Sequence, residues 1–215
     1  MTAQPRVRCY IAIGSNQGER LALCEAAVAA LAALPGITLS RRSTWYETEP
    51  VILDVGARAE RAKQVPPMPP HPEPPRFSRR PPAPPHPNPA PGWFINGAVE
   101  LTTTLTPHRL LDACLQIERQ LGRRRMAGSV APLSRPIDLD LLLYGDAVIN
   151  EPGLTIPHPR LEHRRFVLVP LGEIAPDVIH PVLGATIADL LSRLTDSHAV
   201  RRLEPVSAAP DRPLT

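Results

Sequence analysis

The sequence predicts an α+β fold, with helices packed on one face of a mainly antiparallel sheet. Three observations predict it. Segments of strand composition and amphipathic helical registers follow in the order β, α, β, (insert), β, α, β, with further helices at the end. The helical registers carry recognisable start and stop residues. Residues 137–143 alternate apolar and acidic side chains up to a leucine run, as a strand rooted in a core does.

Taken in order, residues 8–13 form a short apolar strand, broken by Gly14-Ser15-Asn16-Gln17-Gly18. A helix starts at Arg20 with Leu21, Cys24, Val28, Leu31 and Leu34 on one face, and Pro35-Gly36 ends it. Residues 38–46 have strand composition. Fourteen prolines then fall between Pro66 and Pro91, a segment that forms neither a helix nor an interior strand. Polyproline II or disorder is expected there, with a short helix over 54–64 before it. Strand character resumes over 94–104, and Thr106-Pro107 supplies an N-cap and a first-turn proline. The helix that follows turns Leu110, Leu111, Cys114, Ile117 and Leu121 inward and closes at Gly122. After the aspartate strand, 154–165 reads as a loop rich in proline and histidine, and 166–174 as apolar. Thr186-Ile187-Ala188-Asp189 opens a last helix with a capping box, burying Ile187, Leu190, Leu191 and Leu194. One domain spanning 1–205 is expected, interrupted by a proline-rich insert over 52–92, with a frayed tail over 206–215.

Composition excludes several function classes. The segment 52–92 holds six basic and three acidic residues and so accounts for the whole net charge of +3. The neutral remainder is a poor electrostatic footprint for nucleic acid. No apolar run reaches the roughly 20 residues of a membrane span, and no secretory leader is visible, so a cytoplasmic location is expected. Cys9, Cys24 and Cys114 are odd in number and lack metal-type spacing, which suits buried free thiols.

The chemistry gathers in 134–145 (SRPIDLDLLLYG). Asp138 and Asp140 lie on one face of the strand, with Ile137, Leu139, Leu141 and Leu143 on the other, so the carboxylates stand side by side within reach of one hard cation. An Asp-x-Asp alone is weak, because solvated strand ends often carry one. Arg135 ahead of it and Arg123-Arg124-Arg125 after the preceding helix add guanidinium groups of the kind that clamp a polyphosphate. Alone, the triple arginine reads equally as a solvated helix C-terminus. No Walker-type phosphate loop is present, and Gly14-Ser15-Asn16-Gln17-Gly18 reads as a structural turn. The flanking prolines fix the backbone of His158, while Phe94 and Asn96 share a strand face where a ring and an amide can read a flat heterocycle. Taken singly, these residues read more often as loop and core than as a binding site.

Together, residues 10–16 (YIAIGSN), 46–51 (YETEPV), 94–96 (FIN), 135–145 (RPIDLDLLLYG), 156–161 (IPHPRL) and 166–176 (FVLVPLGEIAP) resemble the 6-hydroxymethyl-7,8-dihydropterin pyrophosphokinase family. In order and spacing they run from Tyr10 to about Leu194, the insert apart. The resemblance implies a ferredoxin-like sandwich that moves the β,γ-pyrophosphate of ATP to the pterin's hydroxymethyl oxygen and releases AMP. It implies that Asp138 and Asp140 hold two Mg²⁺ ions, and that Arg125 and Arg135 act with them in catalysis. Glu118, Arg123, Thr155, His158 and Arg164 are implied contacts of ATP. Thr48, Val51, Phe94, Asn96 and Phe166 are implied to hold the pterin.

Two features depart from the family pattern. Residues 126–134 (MAGSVAPLS) lack the Arg-Trp pair that the pattern carries in this loop. A loop of about eight residues in the family becomes about forty here, a lengthening that costs only roughly 1.4 kcal/mol of closure entropy. Low-complexity drift accounts for the insert; a docking arm for a protein partner is the other reading, and with it a catalytically weakened paralogue that acts as an interaction module.

Overall fold

Nine residues of near-continuous apolar character form strand β1 (Val7–Ser15), an interior strand of the sheet. The computed structural model describes residues 5–50, 92–123 and 136–204. After β1 come α1 (Arg20–Ala32), β2 (Ile37–Arg42), β3 (Tyr46–Thr48), β4 (Phe94–Thr103), α2 (Pro107–Gln120) and β5 (Asp138–Tyr144). A hairpin of β6 (Ile149–Glu151) and β7 (Leu154–Ile156) follows, then a 3₁₀ turn at Leu161–His163, α3 (Arg165–Ile174), α4 (Ile187–Arg193) and β8 (Val200–Arg202). The main sheet runs β5-β1-β4-β3-β8, with β2 also paired to β4. Every pairing is antiparallel. Two βαβ-type halves interleaved around a central β1–β4 pair give the ferredoxin-like arrangement.

The helices cover both faces, not one. Cys9, Ile11 and Ile13 pack with Cys24, Ala27, Val28 and Leu31 of α1 and Leu110, Cys114 and Ile117 of α2. On the other face, Tyr10 and Ala98 pack with Val167, Leu168 and Leu171 of α3 and Ile187 and Leu190 of α4. A strand buried on both faces needs apolar residues at consecutive positions, which is how β1 and β4 read. Thr106 caps α2 by accepting from the Arg109 N–H at 3.4 Å, and Gly122 takes the left-handed conformation beyond its end (φ 96°). Thr186 and Asp189 form the reciprocal capping box of α4.

Other local expectations are corrected. β1 does not break at Gly14 but runs through Ser15, because Gly14 and Ser15 pair with Asn96 and Ile95 of β4. Leu21 is exposed, and the buried stripe of α1 begins at Cys24. Residues 38–46 are two strands, β2 and β3, both paired to β4. The expected loop over 154–165 opens with β7, and the chain after α4 returns as β8 beside β3. Leu143 leaves the face of Leu139 and Leu141: a bulge at Leu142 sets Leu143 opposite Tyr10, in the α3/α4 cluster.

Among the described residues no helix is long and apolar enough to cross a membrane. Cys9, Cys24 and Cys114 are buried free thiols, and burial pushes each up to about 12. The expected helix over 54–64, the insert apart from Gly92, the loop over 126–134, the tail over 206–215, and Val51, Arg124, Arg125 and Arg135 lie outside the described residues.

Candidate active site

Strand register assembles the site. Asp138 stands opposite Gly14, Gly14 opposite Asn96, and Asn96 opposite Tyr46. Asp140 stands opposite Ala12, and Phe94 opposite Thr48. Directly opposed residues of antiparallel strands project to the same face. Asp138, Asp140, Asn96, Phe94, Thr48 and Tyr46 therefore share the face covered by α3 and α4, in a belt across four strands. Gly14 and Asp138, 124 positions apart in sequence, become neighbours through pairing alone.

Behind the aspartates lies an anchor from the other face. Glu118, near the end of α2, has a side chain only 2% exposed. Its Oε1 accepts from the Leu139 N–H at 2.9 Å and from the Arg123 Nη1, which also donates to Asp138 Oδ1. Arg123 continues from α2, its N–H donating to the Glu118 carbonyl at 2.9 Å. The buried carboxylate thus satisfies an N–H of the edge strand β5 and aims one guanidinium at the first aspartate. The resemblance made Glu118 an ATP contact; the structure places its carboxylate beneath Arg123 and β5.

The second aspartate faces the α3 side. Arg164, the residue that precedes α3, brings Nη1 to 3.5 Å from Asp140 Oδ2 and its guanidinium carbon to 5.4 Å from the Phe166 ring centroid. His158 brings Nε2 to 3.8 Å from the same Asp140 oxygen, and its own N–H donates to the Leu142 carbonyl at 2.9 Å. The Arg160 N–H donates to His158 Nδ1 at 3.3 Å, which leaves the ring proton on Nε2, pointed at the site. Burial, helped by the Arg164 and Arg160 guanidiniums, pushes this imidazole down to about 4, against the pull of Asp138 and Glu162. At neutral pH His158 is a neutral donor and its approach to Asp140 is not an ion pair. Its folded pKa lies below the ordinary 6.5, so the stability it contributes is complete above that value. That contribution is lost as the pH falls from there towards 4. In an NMR titration the ring is expected to stay neutral, with its proton on Nε2, down to pH ~5. A midpoint at the ordinary histidine value would overturn the assignment.

At the other end of the belt, Asn96 Nδ2 donates to Thr48 Oγ1 at 2.6 Å, which fixes the amide beside Phe94. Gly14 makes room for it: a Cβ there would lie 2.5 Å from Asn96 Oδ1. Thr155 is exposed on β7 and lines a cleft with His158, Asn150 and Val148. Of the expected site residues, the structure brings Glu118, Arg123 and Asp138 into one set of contacts and Asp140, His158 and Arg164 into a second, the two aspartates two residues apart on β5. Phe94, Asn96 and Thr48 lie beside them on the same face.

Sequence reasoning missed Gly14 as the space for Asn96 and Glu173 as a second anchor. Glu173 accepts from the Thr44 N–H at 3.0 Å, Thr44 Oγ1 at 2.6 Å and Tyr46 Oη at 2.8 Å, which ties α3 to β3. Those hydrogen bonds, with the nearby Arg202, outweigh burial and hold its carboxyl below the usual range. No local pattern marks Glu173, because its partners lie more than 120 positions away.

Comparison with known proteins shows the family. Residues 76–176 match the model of the 7,8-dihydro-6-hydroxymethylpterin-pyrophosphokinase (HPPK) family. A protein of Methylorubrum extorquens named 2-amino-4-hydroxy-6-hydroxymethyldihydropteridine pyrophosphokinase is 36% identical over 92% of this chain and 99% of its own length. Its namesake in Bacillus subtilis is 35% identical over 79% of this chain and 78% of its own. Among solved structures, wild-type Plasmodium falciparum HPPK-DHPS superposes with a TM-score of 0.56 at 16% identity, over 89% of this chain and 45% of that one. The chain thus spans less than half of that larger protein, and at this identity the likeness speaks for the fold. The curated relatives, matched over most of their own length, carry the further step: the chain belongs to the 7,8-dihydro-6-hydroxymethylpterin-pyrophosphokinase family.

Proposed function

We infer that the chain transfers the β,γ-pyrophosphate of ATP to the hydroxymethyl oxygen of 6-hydroxymethyl-7,8-dihydropterin, in folate biosynthesis. The observation that carries this reading is the belt on one sheet face. It sets paired carboxylates, a guanidinium and a neutral imidazole at one end, and an aromatic ring with a fixed amide at the other. A polyphosphate suits the first end and a flat, hydrogen-bonding heterocycle the second.

In the reaction the hydroxymethyl oxygen forms a bond to the β-phosphorus and gives up its proton to solvent. The bond from that phosphorus to the oxygen bridging to the α-phosphorus breaks, and AMP leaves with that oxygen. Asp138 and Asp140 fit Mg²⁺, being hard oxygen donors two residues apart at the head of a rigid strand. Two such ions held there would neutralise charge on the phosphates as it develops. Arg164, steadied by Asp140 and the Phe166 ring, and Arg123, steadied by Glu118, supply guanidiniums along the polyphosphate. Arg125 and Arg135 extend that set. His158 donates its Nε2 proton as a neutral hydrogen bond, and Thr155 contacts ATP beside it. Phe94 and Phe166 hold the pterin by its faces, while Asn96, Thr48 and Val51 meet its edge. No side chain serves as a covalent nucleophile; the rate comes from positioning and charge neutralisation.

The test is nucleotide analysis of the reaction with and without the pterin. AMP release that depends on the pterin and on Mg²⁺ is expected. ADP as the nucleotide product, or AMP release indifferent to the pterin, would overturn the reading.

A further inference from the structure

The first turn of α3 carries two residues of the site, Arg164 immediately before it and Phe166 within it, yet it has no cap of its own: Arg164 makes no side-chain capping bond. The missing acceptor comes from 31 positions downstream, where Asp196 Oδ2 accepts the Arg165 N–H at 3.0 Å. A carboxylate at a helix N-terminus satisfies a free donor and complements the helix dipole. Asp196 is itself held: its Oδ1 accepts the His198 N–H at 2.9 Å and the His198 Nδ1–H.

The chain then continues into the pterin side of the site. The Glu49 N–H donates to the Ala199 carbonyl at 3.0 Å, and Glu49 Oε2 accepts the Ala199 N–H at 3.1 Å. Val200 pairs with Thr48 in β8, and the Arg201 guanidinium stacks 4.7 Å from the Trp93 ring centroid, next to Phe94. One short segment, 196–202, therefore touches the turn that presents Arg164 and Phe166 and the strand that presents Thr48.

We propose that Asp196 is a positioning residue for the transfer reaction, capping α3 from across the fold so that Arg164 meets Asp140 and Phe166 faces the pterin strand. This rests on the pyrophosphokinase reading above. Its bond to Arg165 fixes a backbone turn and not a reacting atom. Loss of that bond therefore weakens the binding of both substrates more than it slows the bound complex.

Steady-state kinetics on the full chain test this with three variants. Asp196→Ala is expected to raise KM for ATP and for the pterin by about tenfold, with kcat changed less than threefold, a cap being worth ~1 kcal/mol or somewhat more. Asp196→Asn keeps an acceptor for the Arg165 N–H, so its KM values are expected within threefold of the unsubstituted protein. Asp189→Ala removes the capping box of α4, which carries no site residue, so it controls for the general cost of an uncapped helix. It is expected to lower the melting temperature by a similar amount and leave KM unchanged. Unchanged KM in Asp196→Ala, an equal rise in Asp189→Ala, or no recovery in Asp196→Asn would each overturn the proposal. Should Asp196→Ala fail to fold, Asp196→Glu decides it: the longer side chain keeps the charge but displaces the acceptor from the Arg165 N–H, so a rise in both KM values above threefold is expected, and unchanged KM would overturn the proposal. Failure of the unsubstituted protein to release AMP would instead overturn the functional reading.

Discussion

Asp138→Ala and Asp140→Ala are each expected to lower kcat by about a thousandfold or more, because each removes a carboxylate that would hold Mg²⁺, the charge that neutralises the reacting phosphates. The same substitutions are expected to leave the fold almost untouched. Both side chains are about one-third exposed, at 27% and 32%, and sit at the mouth of the sheet. The guanidinium partners are more buried, at 12% and 18%, and a partly buried ion pair of this kind is worth about 1 kcal/mol. Removing either carboxylate also relieves repulsion between two like charges two residues apart on one strand face. Asp138→Ala leaves Arg123 paired with Glu118, so no buried charge is stranded. Melting temperatures within a few degrees of the unsubstituted protein, with activity lost, are therefore expected from thermal denaturation and AMP-release assays run side by side. Near-normal turnover in either variant would remove the aspartates from the reaction. A collapse in stability would make them structural.

Gly14→Ala is expected to raise KM for the pterin roughly 10–100-fold while leaving ATP binding intact. Gly14 lies between Asp138 and Asn96 in the floor of the site. It does not need a positive φ, so alanine is allowed there by the backbone. The added methyl would stand 2.5 Å from Asn96 Oδ1, and the amide must turn away. Turning it breaks the 2.6 Å bond from Asn96 Nδ2 to Thr48 Oγ1 and removes the fixed amide from the heterocycle's edge. A lost hydrogen bond in a half-closed site costs ~1–3 kcal/mol, which sets the range. Calorimetric titration with the pterin and with a non-hydrolysable ATP analogue separates the two ends of the belt. Equal weakening of both ligands would point to a general distortion of β1. Unchanged pterin affinity would take Asn96 out of recognition.

Legibility in the sequence followed the range of the interaction. The aspartate strand was legible up to Leu141 because side chains alternate with period two and the strand is apolar on one side. It failed at Leu143, where a bulge at Leu142 changes the facing of everything after it, and nothing in a run of three leucines marks that place. The caps at Thr106 and Thr186 were legible because each is a contact within one turn. The cover on both faces was present as the consecutive apolar residues of β1 and β4, but a two-layer expectation assigned helices to a single side. β6, β7 and β8 are three residues long and take their order from partners, so their own composition is silent.

The available chemistry is written along the chain: two carboxylates on one strand face, a histidine between prolines, an aromatic and an amide two residues apart, and the family pattern that unites them. Those are properties of residue type and short spacing, set before the chain folds. The tertiary structure alone decided how that chemistry is held. Register laid Gly14 between Asp138 and Asn96, burial set Glu118 as an anchor for Arg123, and a distant carboxylate, Asp196, capped the helix that presents Arg164. Each of these depends on groups brought together across 15 to 124 positions, through packing on two sheet faces that no local periodicity encodes.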